Sequence, residues 1–154
     1  MEKKKFSKIE KSEYDQKTLE IRRVTRVVAG GKRMSFRAAV LLGDKKGKVA
    51  VGLAKGADVS QAIDKAVSDA KKHFVKVAIF DGTIRHNVLG KFKASKVIIK
   101  PAVKGRGIVA GGAVREVLFL AGYNNVSAKI VGTSTNQINN AQATLNALSH
   151  LKSV

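Results

Sequence analysis

The chain has 154 residues, room for one ordinary domain or two small ones. It carries 30 Lys and Arg against 11 Asp and Glu, a formal charge of +19 with a pI near 10.5, beside 44% hydrophobic residues. That apolar share argues against a wholly disordered chain, the one-sided charge points to a polyanion (nucleic acid first, anionic membrane second, acidic protein third), and the lack of Cys excludes disulfides and thiolate metal sites.

No apolar run approaches the roughly 20 residues of a spanning helix. The start, MEKKKFSKIEKSEYDQK, lacks the apolar core of a signal peptide, so a cytoplasmic location is the default. Trp is absent and aromatics are 5%, which weakens a single-strand binder that stacks bases on aromatic platforms.

Residues 1–17 alternate charges with few apolar anchors and read as a flexible basic arm, ordered on a partner or simply frayed. Thr18 to Val28 reads as a first strand, with Leu19, Ile21, Val24 and Val28 among Arg22, Arg23 and Arg26. Ala29 to Arg33 follows as a loop whose paired glycines let the backbone approach a ligand. Ser35 to Leu42 and Lys48 to Leu53 are β-rich runs joined by the hairpin loop Gly43 to Gly47. Between Arg22 and Lys55 there are ten Lys and Arg and one acid, Asp44, so a half-buried sheet here presents a cationic edge outward.

Asp58 opens a helix, and with Gln61 it resembles a capping box. Val59, Ala62, Ile63, Ala66, Val67, Ala70 and Phe74 share one helical face, with Lys71 and Lys72 in the last turn. The pattern breaks near Phe80-Asp81-Gly82, which suggests domains at 18–80 and 81–154. Residues 1–80 hold a net +11 and residues 81–154 a net +8, so both halves are suited to one polyanion.

The second half starts with Thr83 to Val88 and Gly90 to Ala94, then a strand from Lys96 to Ala102. A helix follows Gly111-Gly112, with Val114, Val117, Leu118 and Ala121 on one face and Gly122 as its stop. Val126 to Val131 is a strand. Asn136 caps a last helix with Ile138, Ala141, Leu145 and Leu148 inward. The unit reads strand, helix, strand, helix.

Catalytic motifs are missing. Gly43 to Lys48 is one residue short of a phosphate loop, has Val49 where Ser or Thr is needed, and leads into a strand, so it reads as a hairpin. Gly105-x-Gly107 with Gly111-Gly112 has the wrong spacing for a dinucleotide fingerprint. The helix start at Gly112 offers free N–H groups to an anion, an RNA phosphate or a partner carboxylate. His73, His86 and His150 are scattered, and the acids form no convincing pair. Ser134 and Thr135 read as loop and cap residues.

Several stretches, in order, resemble one family. Ala29 to Phe36 resembles the GGRRFSF loop of the bacterial ribosomal protein S5 family of the small subunit. Val40 to Val49 resembles its VVGDGNGRVG hairpin, and Gly82-Thr83-Ile84-Arg85-His86 its NGTIPH segment. Lys100-Pro101-Ala102 and Gly105 to Arg115 resemble its KPA and EGTGIIAGGAVR block. The similarity runs from about Leu19 to Leu151. Departures are Gln137 for the Pro of Asn-Pro, Gln142 for the Arg of VVRAT, and Lys104 and Arg106 for the Glu and Thr of EGTG.

The resemblance implies an α+β chain of two small α/β sandwich-type domains. The first would be like a double-stranded-RNA-binding domain, three antiparallel strands plus a helix, and the second a ribosomal-protein-type strand and helix domain. It implies a non-enzymatic, cofactor-free constituent of the small subunit that supports assembly and translational accuracy. Its partners would be small-subunit rRNA, ribosomal proteins S4 and S8, and mRNA close to where it enters. The cationic stretch and the resemblance together assign rRNA contacts to Arg22, Arg23, Thr25, Arg26, Gly30, Gly31, Lys32, Arg33, Ser35, Phe36, Lys55, Arg85, Lys91 and Lys93. By motif, Arg23 to Lys32 is the loop associated with spectinomycin response, and Gly107 and Arg115 belong to the S4 interface. The rival reading is a free RNA-binding or RNA-chaperone factor.

Overall fold

Two antiparallel strands, β1 (Asp15–Val28) and β2 (Gly31–Gly43), make a long hairpin, and β3 (Lys48–Gly56) pairs only with the Phe36–Gly43 part of it. The structure is a computed structural model and describes residues 13–151. From Ala38 to Leu42, β2 is apolar on both faces because both are covered. Ala38, Val40 and Leu42 face α1 (Val59–Ala70), meeting Ala62, Ala66 and Ala70. Leu41 faces the other way, and Val49 and Val51 of β3 and Leu19 of β1 join it in a cluster with the second half.

Several expectations need correction. β1 starts at Asp15, inside the stretch read as an arm, because the end of β2 offers backbone partners: Asp15 to Lys17 pair with Gly43 to Leu41. Residues 1–12 of that arm lie outside the described residues. The loop read at Ala29 to Arg33 is a tight turn at Ala29 and Gly30, since Val28 already pairs with Gly31. Gly30 takes the left-handed φ of 87° that this turn needs.

Asp58 does sit at the N-cap of α1, but its side chain bonds nothing there, so the capping box is not formed. The helix ends at Ala70, leaving Lys71 as the C-cap and Lys72 beyond it, with no basic residue in the last turn. A fourth short strand, β4 (Val75–Lys76), pairs with Lys48 and Val49, giving the first sheet the order β1-β2-β3-β4 instead of three strands. Two residues are too few to show a period.

The second half holds β5 (Val88–Phe92), β6 (Ser95–Pro101), β7 (Ile108–Val109), α2 (Gly112–Ala121), β8 (Val126–Ile130) and α3 (Gln137–Ser149). Its sheet order is β5-β6-β8-β7, with only β7 and β8 parallel. β5 and the two-residue β7 are the elements that the strand, helix, strand, helix reading left out. Gly90 interrupts the alternation of β5 because α3 lies directly on that backbone: a Cβ there would stand 2.2 Å from the Ala143 carbonyl oxygen. The expected caps form elsewhere. Asn136 Oδ1 accepts from the Ile138 and Asn139 N–H groups, and Gly122 ends α2 in the left-handed region at φ 101°.

The two halves share a core. Leu41 and Val49 lie in one buried cluster with Val114, Val117 and Leu118 of α2 and Leu145 and Leu148 of α3. The β2–β3 loop also docks on the C-terminal end of α2. The Lys45 N–H donates to the Leu120 carbonyl and the Gly47 N–H to the Ala121 carbonyl, both at 3.0 Å. Those bonds give open carbonyls of a helix end their donors.

Tyr123, 1% exposed, donates its Oη to the Ala78 carbonyl at 2.7 Å, fastening the connection between the halves. Burial pushes its phenol pKa up. Tyr123→Phe leaves that carbonyl without its donor, and thermal or urea unfolding should show a loss of about 1–2 kcal/mol. No helix among the described residues is long and apolar enough to cross a membrane.

Candidate nucleic-acid interface

Beyond Phe36 the β1–β2 hairpin has no third strand, so residues 24–28 and 31–35 project as a two-stranded ribbon. A ribbon of this kind is marginal alone and gains from a partner. Cross-strand partners share a face, so the register sorts its cations. Arg26 pairs with Arg33, and Arg22 with Arg37, which in turn pairs with Lys55. These five lie on one face. On the other face Arg23 is opposite Phe36, Thr25 opposite Met34, and Val27 opposite Lys32. Arg22, Arg23, Thr25, Arg26, Gly30, Gly31, Lys32, Arg33 and Lys55 are all exposed.

Like charges directly opposite one another repel. The structure offsets part of this with Glu20, whose carboxylate is only 13% exposed. It contacts Arg22 Nε and reaches Arg37 Nη2 at 3.5 Å. Arg23, Arg26, Lys32 and Arg33 have no such carboxylate among the described residues, and they carry the outward field. Ser35 and Phe36 are different: both are half-buried, and Phe36 packs against the α1 cluster. Its ring serves the core.

The second-half residues fall in separate places. Lys93 lines a cleft of about 320 Å³ between the halves, together with Arg37, Leu53, Phe92, Asn136 and Ile138. It therefore shares with Arg37 of the row a cleft that Asp69 also lines. Lys91 is exposed two residues before Lys93, on β5. Arg85 is exposed on the connection after Gly82, its guanidinium stacked 3.4 Å over the Phe80 ring; that contact fixes the plane of a group suited to phosphate.

Gly107 takes φ 75°, and its N–H, like that of Gly105, donates to Asn125 Oδ1. Arg115 is exposed in the first turns of α2. Lys104 is held by Asp81 at 2.5 Å, and that hydrogen bond and charge raise its pKa.

One member of the cationic row, and the carboxylate that partly neutralises it, were not singled out from the sequence. Arg37 sits two residues past Ser35, inside an apolar run, and only the register places it between Arg22 and Lys55. Glu20 was visible as an acid two residues before Arg22, the spacing of one strand face. The Gly43–Lys48 loop resembles no phosphate site in its geometry. Asp44 Oδ1 accepts from the Lys46 and Lys48 N–H groups, and the Lys45 and Gly47 N–H groups are taken by α2.

Comparison with known proteins decides the family. The family described as ribosomal protein S5, N-terminal domain, matches residues 14–78, and that described as ribosomal protein S5, C-terminal domain, matches residues 90–154. The chain belongs to the ribosomal protein S5 family. Its S5 relatives include the small ribosomal subunit protein uS5 of Thermotoga neapolitana, 48% identical over 93% of this chain and 80% of that protein. That of Thermotoga maritima is 48% identical over 95% of this chain and 82% of its own length. The protein named uS5c of Cyanidium caldarium is 48% identical over 91% and 83%. The S5 assignment agrees with the two α+β halves, the first built on an antiparallel sheet under one helix.

Proposed function

We propose that the protein is a structural constituent of the small ribosomal subunit in the cytoplasm, bound to small-subunit rRNA and without catalytic activity. The observation that carries this reading is the exposed cationic ribbon, in a chain of the S5 family. Lys and Arg contacts to phosphate supply affinity, and duplex shape supplies specificity, because an A-form major groove hides its base edges from side chains. Sedimentation tests it. The protein should stay with small subunits through a high-salt wash. Release into the supernatant would favour a free RNA-binding or RNA-chaperone factor.

The finer partners belong to the same proposal. Ribosomal protein S4 meets the Gly107 and Arg115 surface, S8 contacts the chain elsewhere, and mRNA passes nearby. A residue with a Cβ at 107 takes a left-handed backbone that L side chains rarely adopt, although it meets nothing within 4 Å inside the chain. Gly107→Arg and Arg115→Leu should therefore leave the protein folded, lower its melting temperature only slightly, and raise readthrough of stop codons. Wild-type readthrough in both folded variants would remove this surface from the accuracy mechanism.

The division into 18–80 and 81–154 is proposed on the two separate sheets. Because Leu41 and Val49 are buried against the second half, each fragment should melt cooperatively but below the intact chain. Fragments without any cooperative transition would make the shared core indivisible.

A further inference from the structure

The second sheet is covered on one face only. Val97 and Ile99 of β6 are buried in the shared core, and the residues alternating with them point the other way. An antiparallel sheet commonly leaves one face in water, and a soluble face ordinarily mixes charges of both signs. This face does not. Ile98 lies at its centre, with Lys96 and Lys100 two residues to either side on β6. Lys129 is its cross-strand partner on β8, and Leu89 its partner on β5, with Lys91 two residues further along that strand.

All four lysines are exposed, and none has a carboxylate partner among the described residues. Residues 81–154 hold two acids, Asp81 and Glu116. Asp81 is taken by Lys104, and Glu116 lies on α2. Lys91 and Lys96 pair directly across the strands, where like charges repel. Leu89 is 59% exposed beside them. Four unpaired cations around an exposed leucine call for a partner that neutralises the first and covers the second.

Resting on the rRNA reading above, we infer that this face is a second RNA surface, distinct from the ribbon, and that it takes the sugar–phosphate backbone of a duplex. The lysines reach phosphates, and Leu89 and Ile98 lie against ribose. The chemistry favours RNA over an acidic protein. Lysine is depleted from protein–protein interfaces, whose cores shed charge, whereas nucleic-acid interfaces are strongly cationic. Lysine stands on three sides of Ile98, so no apolar centre free of charge can form there.

Stacked bases are the wrong occupant. Phe92, the one aromatic in β5, β6 and β8, packs against the core and gives this face no stacking platform. Contact is therefore with backbone. Lys96 to Lys100 spans about 13 Å of extended strand, a flat face matched to the wide, shallow minor groove of A-form RNA.

The test is amine acetylation of the full chain, free and within purified small subunits, read lysine by lysine by mass spectrometry and joined to ultraviolet cross-linking of the same subunits. Lys91, Lys96, Lys100 and Lys129 should react in the free chain and lose that reactivity in the subunit. Nucleotide adducts should appear on the peptides of β6 and β8. Lys91→Gln, Lys96→Gln, Lys100→Gln and Lys129→Gln combined should leave the melting temperature unchanged within a few degrees. The combination should lower the slope of log retention against log salt by about 3, at roughly 0.7–0.9 counterions per phosphate. Arg at all four positions should restore the slope.

Lysines as reactive in the subunit as in the free chain would leave a solvated face and overturn the inference. Protection with cross-links to protein and none to nucleotides would assign the face to an acidic protein and overturn it equally. An unchanged salt slope in the folded Gln variant would do the same. A chain retained on small subunits with these lysines still reactive defeats this inference alone, whereas a chain absent from small subunits defeats the rRNA reading and this inference with it.

Discussion

Gly52→Ala and Gly90→Ala should each destabilise the protein by at least about 3 kcal/mol, a large part of the roughly 5–15 kcal/mol that holds a domain together. The reason is a strand backbone pressed against a helix backbone in each half. A Cβ at Gly52 would lie 2.0 Å from the Ala66 carbonyl oxygen and 2.7 Å from the Ala70 nitrogen. One at Gly90 would lie 2.2 Å from the Ala143 oxygen and 2.6 Å from the Ala147 nitrogen. These are backbone atoms of the helices, so relief requires moving α1 or α3 away from its sheet. Gly31→Ala is the control, since a Cβ there meets nothing within 4 Å and the backbone is not left-handed. Denaturant midpoints should fall sharply for the first two and stay within error for the control. A mild effect at Gly52 or Gly90 would mean that the helices are looser on their sheets than described.

The same two glycines show how far the sequence could be read. Gly52 lies in a run, Val49 to Leu53, whose β character survives one interruption, and β3 was legible. Gly90 lies in a five-residue strand between His86-Asn87 and the Lys93-Ala94 turn, and there one glycine was enough to leave the element unassigned. What each required was knowledge of the opposing helix. The alanines at spacing four, Ala62, Ala66 and Ala70 on α1 and Ala143 and Ala147 on α3, were the available sign, since small residues at that spacing let a backbone come close.

Caps were legible where the side chain had a local target. Asn136 reaches N–H groups two and three residues ahead, and Gly122 only has to reverse its φ. Asp58 had the right type and spacing, yet its carboxylate makes no cap hydrogen bond. The cationic stretch was visible from composition alone. Its arrangement into rows was not, because a row crosses three strands and depends on a register. The irregularity between Thr18 and Glu20 sets the outer part of that register by shifting β1 one residue against β2. Glu20 then falls on the Arg22 and Arg37 face.

Replacing Arg23, Arg26, Lys32 and Arg33 together with Ala should weaken rRNA binding on the order of a thousandfold near 0.1 M salt, and reduce the slope of log affinity against log salt by about 3. The arithmetic is that of released counterions, roughly 0.7–0.9 per phosphate contacted. All four side chains are exposed, Arg26, Lys32 and Arg33 on the ribbon beyond β3 and Arg23 at its base opposite Phe36, so the melting temperature should be unchanged within a few degrees. Arg22 and Arg37 are left in place deliberately. Removing them would strand the Glu20 carboxylate, 13% exposed, and a loss of binding could then come from a damaged sheet. Phosphate contacts carry no base information, so the loss should be uniform across unrelated RNA duplexes of equal length. A folded variant whose salt slope matches the wild type would show that these cations do not touch phosphate. The binding surface would then have to be sought along Lys55, Lys93 and Arg85 instead.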